Sequence, residues 1–536
     1  MAVLEVENLT VALPASADRA HAVEDVALQV GAGEILCVVG ESGSGKSVTA
    51  FSVMGLADRR ALTPVGGAIR LDGEDILNAD TARMRRLRGE KMAMIFQEPM
   101  TALNPVMRVG DQIGEMLEIH TDFSTAARKD RVLAAMGDVN LPEPEQMFGA
   151  YPHQLSGGQR QRIMIAMALV LEPKLLIADE PTTALDVTTQ AQILALIKDI
   201  QTRKGMAVMF ITHDFGVVAE IATRVAVMKE GCIVEQGTTA KVLGAPRDPY
   251  TKMLIAAVPS MDPPERSPST GDVALATDDL VKTYGAPGVL GTGRVVKAVQ
   301  QVDLTVRRGE TLGIVGESGS GKSTVARCVM RLIDPTSGEV LINGENIAGL
   351  SEGQLRPHRR DIQIVFQDPY RSLNPRRTVG QSIVEGPVNF GLAPAAAQER
   401  ASDLMRVVGL SPEALERFPH QFSGGQRQRI CIARALAMEP QVLIADEAVS
   451  ALDVSVQAQV LNLLDDVRRR FDLAMLFITH DLRVAAQICD RIMVMNRGEV
   501  VETGPTAQVY ADPKHAYTRA LLAAAPGQNA PEAAAR

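Results

Sequence analysis

GESGSGKS occupies residues 40–47 and recurs unchanged at residues 316–323. Each copy follows a short apolar run (EILCVVG, TLGIVG) and precedes a helix-prone stretch (SVTAFSVMGL, STVARCVMRL). The pattern GxxxxGK[ST] between a strand and a helix is a phosphate-binding loop. Its glycines let backbone N–H groups turn inward around an anion, and the helix N-terminus adds a positive dipole. In this reading Lys46 and Lys322 neutralise the β- and γ-phosphates of a nucleotide, while Ser47 and Ser323 offer hydroxyls to Mg²⁺. Gly40, Glu41, Ser42, Gly43, Ser44 and Gly45 form the rest of one cradle, and Gly316, Glu317, Ser318, Gly319, Ser320 and Gly321 the rest of the other.

Other segments repeat in the same order. SGGQRQR stands at 156–162 and 423–429, LIADE at 176–180 and 443–447, and FITHD at 210–214 and 477–481. The offset is 276 at the lysines, 270 at Gln97 and Gln367, and 267 from the serines onward, so only short loop deletions separate the copies. A duplicated domain is the consequence. Between the copies, residues 259–272 read PSMDPPERSPSTGD, with four prolines and three serines. Such a segment buries no core of its own and reads as a semi-rigid linker, about 45 Å long if fully extended. The expected division is a first domain at 1–258, a linker at 259–273, a second domain at 274–525 and a flexible tail at 526–536.

KLLIAD, QVLIAD, MAVMFITHD and LAMLFITHD have the continuous apolar character of strands buried on both faces. Amphipathic helices are expected over 190–202 and 457–469. Strands alternating with helices predict an α/β fold with a largely parallel sheet. LLIAD and VLIAD then carry Asp179 and Asp446 to the carboxyl edge of that sheet, where α/β folds place their ligands. There each Asp would hold the Mg²⁺ shell, and the adjacent Glu180 or Glu447 would polarise an attacking water.

The chain has 536 residues, 46% hydrophobic and 22% charged, with a net charge of −9. An acidic total argues against a nucleic-acid binder, and the basic run RMRRLR at 83–88 reads as a solvated helix face. No apolar run approaches the roughly 20 residues that cross a bilayer, and the start MAVLEVENLTV lacks the form of a secretory signal. Cys37, Cys232, Cys328, Cys431 and Cys489 are scattered without a CxxC pair, as expected of reduced, mostly buried thiols.

The phosphate loop, Gln97/Gln367, SGGQRQR, LIADE, ALD and His213/His480 together resemble the nucleotide-binding domain of the ABC transporter family, over nearly the whole chain apart from linker and tail. The resemblance implies two tandem domains, each with a mainly parallel sheet core, an antiparallel β subdomain and a helical signature subdomain. It also implies composite ATP sites. One would combine Lys46, Ser47, Gln97, Asp179, Glu180 and His213 with Ser423, Gly424, Gly425 and Gln426. The other would combine Lys322, Ser323, Gln367, Asp446, Glu447 and His480 with Ser156, Gly157, Gly158 and Gln159. The Gln residues would join the Mg²⁺ shell, the histidines would contact the γ-phosphate, and Asp186 and Asp453 would couple the sites. Both sites keep their full catalytic set. They differ where the family stacks adenine on an aromatic ring: Tyr284 serves the second half, whereas the aligned position of the first is Leu13 and no Phe, Tyr or Trp precedes Phe51. Pro181 against Ala448 reads as loop tuning without a functional consequence.

FQEPMTALNPVMRVGDQI, FQDPYRSLNPRRTVGQSI, DPYTKMLIAAVP and HAYTRALLAAAP resemble the ATPases of oligopeptide, dipeptide and nickel importers, and a fused pair resembles that of the microcin C-type peptide importers. The implied partners are two separate permeases, docked after Gln97 and Gln367, and an extracytoplasmic solute-binding protein. The implied place is the cytoplasmic face of the bacterial inner membrane. The competing class is a soluble ABC ATPase of translation or DNA repair. Its long charged arm or metal-binding cysteines are not found here, and residues 256–280 hold no cysteine for an iron–sulfur site.

Overall fold

Strands Ile35–Val39, Leu175–Asp179 and Ala207–Ile211 are buried at every position. Alternate residues of the first serve two different cores. Ile35, Cys37 and Val39 pack with the helical side, whereas Leu36 and Val38 pack with the antiparallel sheet and the helix Lys46–Met54. Period-2 side-chain alternation with both faces covered is what makes these segments read as unbroken apolar runs.

The computed structural model describes residues 2–15, 17–58, 60–97, 102–183, 185–285, 295–450 and 452–525. The chain divides into two units at Val258/Pro259. In the first, a six-stranded sheet has the order Cys232–Thr238, Arg224–Lys229, Ile35–Val39, Ala207–Ile211, Leu175–Asp179, Met92–Ile95. All its pairings are parallel except that of the edge strand Cys232–Thr238. An antiparallel sheet accompanies it, in the order His21–Gly31, Ala2–Ala12, Thr63–Leu71, Glu74–Asp75. Helices Val109–His120, Thr125–Asp138 and Gly157–Leu169 form the helical part. The second unit repeats the plan. Its six-stranded sheet runs Ile362–Val365, Val442–Asp446, Ala474–Ile478, Thr311–Val315, Arg491–Asn496, Glu499–Pro505, and its helices include Val379–Asn389, Pro394–Val407 and Gly424–Leu436.

The helices expected over 190–202 and 457–469 are longer, Val187–Lys204 and Val454–Phe471. Asp186 caps the first, its carboxylate accepting from the Thr189 amide at 2.9 Å, so the helix begins before its amphipathic pattern does. The RMRRLR run lies on helix Thr81–Glu90. Arg85 and Arg86 face solvent, but Arg83 binds both Glu74 oxygens at 2.6 Å and Arg88 donates to the Met54 and Gly55 carbonyls. All five cysteines are free thiols: four are buried and Cys232 is half-buried.

Residues 260–271, expected to be a semi-rigid linker, are fastened to the second unit. The Arg266 guanidinium lies 3.5 Å from both Asp465 and Asp490 and donates to the Gln487 carbonyl at 2.6 Å. Gln487 Nε2 donates in turn to the carbonyls of Ser260 and Asp262, and Ser269 Oγ to that of Arg308. The expected tail, 526–536, lies outside the described residues. Arg266→Ala is expected to destabilise the second unit by about 2 kcal/mol, the scale of hydrogen bonds to charged groups. It should also speed cleavage at Glu265 by a glutamate-specific protease; an unchanged cleavage rate would refute the fastening.

Candidate functional site

The phosphate loops leave the sheet at Gly40 and Gly316 and close at the helix starts Lys46 and Lys322. Glycine is needed at both ends. Gly40 and Gly45 have φ of 150° and 104°, and a Cβ would come within 2.2 Å of the Met228 carbonyl or 2.8 Å of that of Ala22. Gly316 and Gly321 face the same constraint, 2.2 Å from the Met495 carbonyl and 2.3 Å from that of Ala298. Both lysine side chains are buried. Lys46 Nζ donates to the carbonyls of Gly40 and Glu41 at 2.7 and 2.9 Å, and Lys322 Nζ to those of Gly316 and Glu317 at 2.7 and 2.8 Å.

Ser47 Oγ meets Asp179 Oδ1 at 3.2 Å, and Ser323 Oγ meets Asp446 Oδ1 at 3.1 Å. Burial pushes both Asp carboxyls above their ordinary value, against the pull of these hydroxyls. Two hard oxygen donors at the mouth of an anion cradle suit Mg²⁺, which prefers one or two protein oxygens plus phosphate and water over a closed protein cage.

The next residues turn sharply. Glu180 and Glu447 have φ of 47° and 50°, a left-handed conformation uncommon for glutamate. That turn aims Glu180 Oε1 at His213 Nδ1, 3.1 Å away, and Glu447 Oε1 at His480 Nδ1, 3.4 Å away. Burial raises both Glu carboxyls, but the paired histidines and the loop lysines pull them further, so each ends below its ordinary value. Burial lowers the His480 ring while Glu447 raises it, with a net upward shift. In the first half Glu180 Oε2 also accepts from Gln97 Nε2 at 2.9 Å and Thr183 Oγ1 at 3.0 Å. In the second, Gln367 Nε2 donates to Ser450 Oγ at 3.3 Å, and Ser450 donates to the Glu447 backbone carbonyl at 3.0 Å. Thr183 and Ser450 escaped sequence reasoning; their place one turn after the glutamate is the only signal that points to them.

Ser156 and Ser423 cap the helices Gly157–Leu169 and Gly424–Leu436. Each hydroxyl accepts from the amide of Gln159 or Gln426, whose side-chain oxygen accepts from the serine amide, a reciprocal capping box. A Cβ on Gly158 or Gly425 would strike Thr189 or Val456, at 2.6 and 2.2 Å. At Gly157 and Gly424 it would meet nothing within 4 Å, so nothing nearby demands glycine there.

Tyr284 ends the strand Val273–Tyr284 with its ring exposed and Lys282 Nζ 5.2 Å from its centre. Leu13 instead lines an open pocket with Arg19, His21 and Gly43. Arg19 Nη2 donates to the Gly43 carbonyl of the phosphate loop at 2.6 Å. Beside Leu13, the position aligned with Tyr284, the first half thus carries a guanidinium and an imidazole. The C-terminal tyrosines, whose sequence context shows no link to the loops, reach them: Tyr250 Oη accepts from the Glu41 amide at 3.2 Å, and Tyr517 Oη from that of Glu317 at 3.1 Å.

Among solved structures, the dimeric ATP-binding cassette MJ0796 bound to ADP and Pi aligns with 44% of this chain and 98% of its own, at 28% identity and a TM-score of 0.40. The profile of the ABC transporter family matches residues 23–183 and 299–450, and that of the oligopeptide/dipeptide transporter C-terminal region matches residues 234–280 and 501–536. The chain is 48% identical to the glutathione import ATP-binding protein GsiA of Escherichia coli (strain K12) over 562 residues, spanning 98% of this chain and 89% of the relative. The protein of the same description from Shigella boydii serotype 4 (strain Sb227) matches to the same extent. With two full sets of the motifs and this relationship along its length, the chain belongs to the ABC transporter family, as a double ATP-hydrolysing subunit of an import system.

Proposed function

We propose that the chain drives import of a peptide or related solute through two separate permeases, using ATP hydrolysis at two competent sites. The observation that carries the reading is the Glu–His pair beside each phosphate loop, at 3.1 and 3.4 Å. Lys46 and Lys322 would leave their carbonyl partners for the β- and γ-phosphates. Mg²⁺ held by Ser47, Asp179 and Gln97, or by Ser323, Asp446 and Gln367, would neutralise phosphate charge. Glu180 and Glu447, kept ionised at neutral pH, would take a proton from the attacking water while His213 and His480 hold the γ-phosphate.

From the family resemblance we infer that each signature would complete the ATP site of the other half. Such an arrangement makes ATP an adhesive and its hydrolysis a release. Among the described residues no helix is long and apolar enough to cross a membrane; translocation would fall to the two permeases, with this chain peripheral at the cytoplasmic face of the inner membrane. A solute-binding protein would deliver the cargo, for which the relatives' description supports glutathione. Residues 98–101, at the start of the expected permease-docking stretch, lie outside the described residues; Val106 and Tyr370 beyond the two glutamines are 80% and 65% exposed, as a docking surface requires.

Glu180→Gln combined with Glu447→Gln should lower turnover by about 10²–10⁴-fold, the usual loss of a general base, while ATP still binds. Full activity in the double variant would sink the assignment, and each single variant should lose most transport. Tyr284→Ala should weaken ATP binding at the second site by about 1 kcal/mol through lost stacking; unchanged affinity there would refute the ring's role. Purification from native membranes should bring two permeases with the chain, and deleting it should abolish uptake of labelled glutathione. Ribosomal proteins in place of permeases would overturn the transport reading, and intact uptake would exclude that cargo.

A further inference from the structure

The C-terminal region of each half contacts the nucleotide loop directly. Helices Pro249–Ala256 and Ala516–Ala523 carry Tyr250 and Tyr517, which reach back 209 and 200 residues to Glu41 and Glu317. Each hydroxyl accepts the backbone N–H of the loop's second residue, and Tyr250 Oη also donates to Glu41 Oε2 at 3.2 Å. The turn before each tyrosine is itself held from the last strand of the sheet. Glu235 accepts from the amides of Arg247 and Asp248, and Glu502 from those of Lys514 and His515. Side chains cap the tyrosine amides in both halves: Asp248 Oδ1 at 2.8 Å from Tyr250 N, and His515 Nδ1 at 3.2 Å from Tyr517 N. The cap residue differs between halves and the tyrosine contact survives, so the contact is the recurring element.

The bonded peptide lies at a sensitive place. The carbonyls of Gly40 and Glu41 hold Lys46 Nζ, and those of Gly316 and Glu317 hold Lys322 Nζ. The tyrosine hydroxyl takes the amide between those two carbonyls. It therefore fixes the peptide unit from which the lysine must depart when phosphate arrives.

We propose that Tyr250 and Tyr517 are positioning residues that hold the phosphate loop in its binding shape, making nucleotide affinity depend on how the C-terminal region is seated. The proposal rests on residues 40–47 and 316–323 being the nucleotide sites, as argued above. The test is Tyr250→Phe with Tyr517→Phe in the full chain assembled with its permeases, following ATPase kinetics and equilibrium binding of a fluorescent ATP analogue. Loss of the hydrogen bond to each loop amide, and at Tyr250 also of the one to Glu41 Oε2, should raise KM and weaken analogue binding about fivefold while kcat stays within about twofold. The rise in melting temperature on adding ATP should shrink accordingly. Unchanged KM and affinity, or a fall in kcat at constant KM, would overturn the proposal. Lys46→Ala with Lys322→Ala provides the separate control. If the lysine variant loses the analogue and the tyrosine variant binds it normally, only the tyrosine proposal fails; if the lysine variant still binds it, the assignment of the loops fails.

Discussion

An ammonium ion out of reach of water must be surrounded by acceptors, and both halves are arranged around that requirement. Lys46 and Lys322 are 6% and 5% exposed, each resting on two carbonyls of its own loop. Burying a charge without such partners costs several kcal/mol. The loop must therefore present carbonyls on one side and leave its amides for an anion on the other, which forces the glycine conformations at its two ends. The flanking strand must be straight and fully buried to aim the loop, hence the parallel sheet with both faces covered. On the proposed reading, arriving phosphate would replace these carbonyls as the lysine's partner.

Beside it, the glutamates pay with backbone strain for direction. A left-handed φ at a non-glycine residue costs of order 1–3 kcal/mol, and both copies bear it at the same point. The two halves nonetheless treat the carboxylate differently. Glu180 is gripped by Gln97, Thr183 and His213, whereas Glu447 has only its histidine among those three kinds of partner, because Gln367 and Ser450 bond each other. Similar motifs thus hold this carboxylate differently: the Thr183 hydroxyl donates to the Glu180 side chain, whereas the Ser450 hydroxyl donates to the Glu447 backbone carbonyl.

What could be read from the sequence was whatever depends on contiguous residues. The phosphate loop, the strand-ending Asp-Glu and the signature cap each fit within eight positions, and their strand and helix context is local. Contacts closed over long separations escaped. Tyr250 and Tyr517 looked like markers of a C-terminal region because nothing near them in sequence reveals a loop some 200 residues earlier. Arg266 looked like linker because Asp465 and Asp490 belong to a distant helix and strand edge. The helix starts fall three residues ahead of the amphipathic pattern, at N-cap positions held by Asp186, whose carboxylate caps the Thr189 amide, and Asp453. Arg19 belongs to no local motif, and its bond to the Gly43 carbonyl spans 24 residues.

The cysteines have a practical bearing on how this molecule meets oxidants. Burial pushes Cys328 and Cys431 up to about 11 and drives Cys37 and Cys489 higher still. Thiolate, the reactive form, is scarce at all four, and side-chain reagents cannot reach them. Cys232, on the edge strand Cys232–Thr238 of the first half, is also held above its ordinary value, by burial and by Glu24 and Asp25, but keeps partial access. A maleimide added to the native protein will therefore mark one half in preference to the other, a built-in handle that distinguishes the two engines without engineering.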